Sequence, residues 1–198
     1  MCIRDSYTTV KHQIKEIVQE LTELINDQLT YLENHVIPLD DEDLEWRPSK
    51  YKWNIFEVLE HIIRFNEFYL PKFRQIVSYP KSSNKKKTYR SGYFGRIAIK
   101  RARPVNGVVV NKVKAPSKTN PFLRKLGRSV IHEYIDQQHK LLELIGDLDE
   151  IDLSKNYMPT VVGNWLKLNF GDSVRLLVHH EERHFVQIDD LVNKRTDT

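Results

Sequence analysis

Four stretches of this 198-residue chain repeat apolar residues at three- and four-residue steps, the period of a buried helix face rather than of a strand. Ile14, Ile17, Val18, Leu21, Leu24, Ile25 and Leu32 predict a first helix from about Thr8 to His35, ended by Pro38. Asp40 to Pro48 reads as an acidic connector. A second helix starts at Asn54, a good N-cap with Glu57 three positions on. It continues through Ile55, Val58, Leu59, Ile62, Phe65, Tyr69, Phe73 and Ile76, and Pro71 is expected to kink it or split off its last turn. Leu123, Leu126, Val130, Tyr134, Leu141, Leu144, Ile145 and Leu148 predict a third helix from about Pro121 to Leu148. A second connector covers Asp149 to Phe170, and the fourth helix runs from Gly171 or Asp172 to about Asn193.

With only 7 Gly and 8 Pro, a turn-rich β fold is disfavoured. The expectation is an all-α fold: one domain over residues 1–198, built as a four-helix bundle with a long connection between its second and third helices. That connection, residues 78–120, is rich in Ser, Asn, Lys, Gly and Pro, with a β-branched run at Val108 to Val110. It reads as a long loop or small hairpin and not as a helix. The opening Met-Cys-Ile-Arg-Asp-Ser, residues 1–6, is read as non-native sequence and left out of functional reasoning. No stretch is long and apolar enough for a membrane span, and no signal peptide is read at the start. The single cysteine, Cys2, allows neither an intrachain disulfide nor a cysteine metal cluster, which suits a cytoplasmic location.

The histidines are the chemistry-bearing residues. His180 and His184 are four apart, so they stack on one helix face, at the edge of the stripe formed by Leu177, Ile188 and Leu191. His61 lies in the apolar second helix between Val58 and Phe65 and can face the fourth helix if the two are neighbours. Neutral imidazoles suit zinc, nickel, iron or copper, and three protein ligands leave an open position of the catalytic kind. By spacing alone the bland reading is the commoner one: a solvated helix edge at His180 and His184, and a hydrogen-bonded core histidine at His61. Gln187, Glu181 and Glu57 are the candidates to orient the imidazoles. His179 is read as surface, and His12, His35, His132 and His139 as structural or exposed.

Two stretches carry a family resemblance. Trp46-Arg47-Pro48 followed by Trp53-Asn54-Ile55-Phe56-Glu57-Val58-Leu59-Glu60-His61 resembles the entry to the second helix of the DinB-like superfamily. His180-Glu181-Glu182-Arg183-His184-Phe185-Val186-Gln187-Ile188 resembles its last-helix motif, and Gly92-Tyr93-Phe94-Gly95 is similar to an intervening segment. The resemblance spans roughly Ile25 to Val192, with Asn54 where the family often has Ser. It implies that His61, His180 and His184 bind a divalent metal ion, zinc or nickel. It also implies a possible activity: some relatives are transferases or isomerases that use low-molecular-weight thiols such as bacillithiol or mycothiol, and many are homodimers. No second catalytic motif accompanies the histidines, so no catalytic residue is assigned.

Two functions therefore compete: a metal-dependent, thiol-dependent transferase with a small-molecule substrate, or a non-enzymatic metal- or ligand-binding module related to stress. A third comes from charge. From Phe68 to His132 there are 17 Lys and Arg and no Asp or Glu, whereas the remainder holds 14 basic and 27 acidic residues. The basic loop, residues 81–118 at its heart, is expected to pack over the acidic body of its own domain or of a dimer partner. The sharper reading makes it an anion site near the metal. Tyr89, Tyr93 and Phe94 interleave with Lys85 to Lys87, Arg90 and Arg96, but such aromatics more often anchor a loop, and a nucleic-acid partner is not expected.

Overall fold

The apolar periods become helices. The structure, a computed structural model, describes residues 11–79, 86–110, 114–121 and 126–196, so the opening six residues and Lys85 lie outside it. In chain order it contains strand β1 (Lys11–Gln13), helix α1 (Ile14–Tyr31), a π-helical turn (Leu32–Val36) and a short helix α2 (Asp41–Glu45). Helix α3 (Ile55–Ser78), strand β2 (Thr88–Arg90) and helix α4 (Tyr93–Ala102) follow. The chain closes with α5 (Ser129–Gly146), the strands β3 (Met158–Thr160) and β4 (Gly163–Leu168), and α6 (Phe170–Thr196). The fold is mostly helical, with two small antiparallel pairs, β1–β2 and β3–β4. No helix among the described residues is long and apolar enough to cross a membrane.

Asn54 starts α3 as its sequence predicts. Its side chain accepts from the Glu57 amide at 2.9 Å, and the Glu57 carboxylate accepts from the Asn54 amide at 2.9 Å, a reciprocal capping box. Helix α3 runs on through Pro71 instead of splitting there. Proline removes one ladder hydrogen bond, and the burial of Tyr69, Leu70 and Phe73 around it holds the helix together.

Three other expectations are corrected. The third helix begins at Ser129, not Pro121: residues 126–128 are not helical, and Gly127 is a poor helix former. The connector after it holds the β3–β4 hairpin. Most consequentially, the basic insert is not all loop. It contains α4, which packs along α6 through Gly95, Ile99 and Ala102.

Helix α3 packs against α5 and α6, and α1 also packs against both. The apolar side chains fall into two clusters. One gathers Ile14, Leu21, Phe65, Tyr69, Phe73, Leu141, Val174 and Val178; the other gathers Val36, Ile55, Leu59, Ile62, Ile131, Phe185 and Ile188. Along α3 and α6 the two meet at Ile62–Phe65 and Val178–Phe185, where polar residues are buried: His61, Asn66, His179, Glu181 and His184.

The insert is tied to the acidic body by ion pairs. Lys86 meets Asp152 at 2.8 Å and Arg103 meets Glu20 at 3.3 Å. Its strand β2 pairs with β1, bringing Tyr89 opposite His12. Tyr89 is buried, while Tyr93 and Phe94 are exposed, so the aromatic residues do not form one surface.

Candidate metal centre

Helix α6 presents His180 and His184 one turn apart, and α3 brings His61 to face them. The Nε2 of His180 lies 3.4 Å from that of His61 and 3.3 Å from that of His184. One ligand nitrogen from each ring lies within 4.8 Å of the other two, so the three histidines are positioned to hold a metal ion. With metal–nitrogen bonds of about 2.0–2.1 Å, the edge of a coordination tetrahedron is roughly 3.3–3.4 Å. The two separations match that edge, and this fits a tetrahedral ion.

The protons are placed to suit ligation. His61 Nδ1 donates to the Thr119 carbonyl at 2.7 Å, and His184 Nδ1 donates to Gln187 Oε1 at 3.2 Å. In the neutral imidazole only one nitrogen carries hydrogen, so each of these bonds leaves Nε2 bare and turned toward the centre. His180 is held differently. Its ring stacks on Phe65 with centroids 3.7 Å apart and planes 11° apart, and its buried Nδ1 has no hydrogen-bond partner among the described residues. Trp53 closes another side, 4.9 Å from the His61 ring and 6.4 Å from that of His184.

Burial in this apolar and aromatic setting disfavours the imidazolium form. It pushes His61 down to about 4 and holds His180 and His184 well below the ordinary histidine range. The nearby Arg183 guanidinium pushes all three in the same direction. At neutral pH the site is therefore three neutral nitrogen donors.

Of the orienting residues expected from helical spacing, only Gln187 serves. Glu57 is used by the α3 cap and by Arg47 at 3.2 Å. Glu181 is fully buried beside Asn66 and Gln138, and burial pushes its carboxyl up to about 7. Thr119 was not legible as a partner, because a backbone carbonyl 58 residues from His61 carries no side-chain signal. His179, expected on the surface, is buried: its Nδ1 pairs with Glu182 at 2.8 Å, and α1 contributes Glu20 at 3.8 Å from Nε2. His132 and His139 are exposed, as expected.

A family model of the DinB superfamily matches residues 24–188, a span that holds all three site histidines. The chain belongs to the DinB superfamily. No curated protein and no solved structure matches it significantly. Two of the segments that carry the DinB resemblance meet at the histidines, since Trp53 to His61 form one wall and His180 to Gln187 the other. The third, Gly92 to Gly95, does something else. The Gly92 amide donates to Asp172 Oδ2 at 2.7 Å, and Gly95 lies so close to that carboxylate that a Cβ there would sit 2.1 Å from Oδ2.

Proposed function

We propose that this DinB-superfamily chain binds one divalent metal ion, zinc in preference to nickel, through Nε2 of His61, His180 and His184, and works as a metal-dependent transferase that uses a low-molecular-weight thiol. The reading rests above all on the two tetrahedral-edge separations between bare imidazole nitrogens. Three protein donors leave a fourth position for a small ligand. When bound, the ion supplies Lewis acidity and keeps a coordinated thiol ionised at neutral pH.

The chain's own residues prepare the rest. Thr119 and Gln187 fix two tautomers, and Phe65 and Trp53 limit ring rotation and exclude water from two sides. Arg183 is half-buried beside the three rings, where its positive charge favours an anionic ligand on the metal. A small-molecule electrophile is the substrate class that such a thiolate would attack.

Elemental analysis of purified protein, dialysed without chelator, is expected to find one metal equivalent per chain. His61→Ala and His180→Ala are each expected to lose it while keeping a helical circular dichroism spectrum. Metal-dependent conjugation of a thiol to a model electrophile then tests the chemistry. A wild type that takes up no zinc or nickel would sink the metal reading. Stoichiometric metal without any thiol activity across several electrophiles would leave only a metal-binding module.

A further inference from the structure

A cavity of about 490 Å³ lies between α4 and the start of α6, and none of its lining residues is a site histidine. Its charged lining is all basic: Arg96, Lys100, Arg103 and Arg175, with Ile99 and Val105 giving an apolar side. We propose that this cavity is a second binding site, for a small molecule that carries a phosphate or carboxylate group beside an apolar part. The volume falls in the range of small-ligand pockets, about 300–1,000 Å³.

Arg175 is the strongest reason. It is 7% exposed, and its Nε has no hydrogen-bond partner among the described residues. Its Nη1 donates to the Tyr89 hydroxyl at 3.1 Å and to His12 Nε2 at 3.2 Å. A guanidinium can only donate, so His12 Nε2 is the bare nitrogen and that ring adds no compensating charge. Nη2 reaches Glu20 Oε2 only at 4.0 Å. A buried guanidinium thus stands with donors its neighbours leave under-used, where an unpaired charge is costly.

Nearby carboxylates do not make up the deficit. Glu20 is shared between Arg103 at 3.3 Å, His179 at 3.8 Å and Arg175. Asp172 is engaged by the Ser91 hydroxyl, the Gly92 amide and Tyr89. Arg96 donates to the Ser91 carbonyl at 3.2 Å. Neither Arg96 nor Lys100 forms an ion pair among the described residues. Four cations therefore face one cavity with two carboxylates near them, Glu20 divided among Arg103, Arg175 and His179 and Asp172 taken up by Ser91, Gly92 and Tyr89, and an anion in the cavity would complete the balance.

The test uses the full chain stripped of metal with chelator, so that an anion cannot bind through a metal ion. Calorimetric titration with inorganic phosphate and, separately, with succinate is expected to show saturable binding of one of them at one site. Saturation by phosphate alone assigns a phosphate-bearing ligand, and saturation by succinate alone assigns a carboxylate. Arg96→Gln and Lys100→Gln, both away from the core, are each expected to weaken binding about tenfold, the loss of one charge-assisted hydrogen bond. His61→Ala is expected to bind the same anion unchanged, so failure of the metal reading does not carry this one with it. No saturable binding of either probe, or equal binding by the Arg96→Gln, Lys100→Gln double variant, would overturn the proposal. So would a short single-stranded oligonucleotide that binds tighter than both probes and loses affinity in those variants, since that marks a polyanion surface.

Discussion

On α6, His180 and His184 lie on one side and Asp172, Arg175 and His179 on another, and the two sets handle burial in opposite ways. On the first side the rings are surrounded by Phe65, Trp53 and each other, and desolvation leaves them neutral. On the second, against α4 and α1, charge is kept and distributed over partners: Asp172 over Ser91 and Gly92, Glu20 over Arg103, Arg175 and His179. One helix thus offers a neutral nitrogen site for a cation and a basic setting for an anion. The difference follows from whether the packing partner brings aromatic rings or ionised side chains.

The comparison breaks first under acid. An unfolded histidine titrates near 6.5 and folded His61 near 4, so the unfolded chain binds more protons between those values. Stability from this residue is fully present above pH 6.5 and is lost as pH falls toward 4, by about 3 kcal/mol. His180 and His184, shifted the same way, add to the loss. Asp172 carries the opposite sign, because burial raises its pKa and the folded state there favours the proton. Urea unfolding of chelator-treated protein from pH 7 to pH 4 should show the fall, and His61→Gln should flatten it. An undiminished slope in that variant would remove the neutral-imidazole account.

Gly95→Ala attacks the other side. The new Cβ would meet the Asp172 carboxylate at 2.1 Å, so Asp172 must leave its Ser91 and Gly92 partners. The expected cost is about 1–3 kcal/mol in thermal unfolding, with metal stoichiometry unchanged. Gln187→Ala reverses that pattern. Zinc affinity, measured by chelator competition, should fall about 10- to 100-fold as the His184 ring loses its orienting acceptor. Folding should barely move. At the far end of α6, Lys194→Ala removes one contact of an exposed pair with Asp190 and should change stability by no more than about 0.5 kcal/mol.

These contrasts also mark what the sequence could convey. The α3 cap, the apolar stripes of α1, α3 and α6, and the shared face of His180 and His184 were legible because each is written in side-chain type at helical spacing. Helix α4 was not. Its buried stripe is Gly95, Ile99 and Ala102, two of them among the smallest residues, set among Lys and Arg. Such a stripe gives almost no hydrophobic signal and only makes sense against α6. His179 was misplaced for the same reason: its burial goes with Glu20 of α1 and Glu182 beside it, on a face that looks polar in isolation. The β3–β4 hairpin is short and leaves Trp165 exposed, so its alternation is weak.

The hydrogen bond from His61 to the Thr119 carbonyl has a thermodynamic consequence. Thr119 sits near the end of the basic insert, in a short turn packed on α3, and is 1% exposed. The orientation of one candidate metal ligand and the seating of that turn are thus a single linked equilibrium. Whatever factor a seated turn adds to metal affinity, metal must return to the seating of the turn, because coupling free energies are reciprocal. With metal bound as proposed, metal affinity would double as a readout of how firmly the insert is anchored, and a substitution in the insert far from any histidine would register as a change in it.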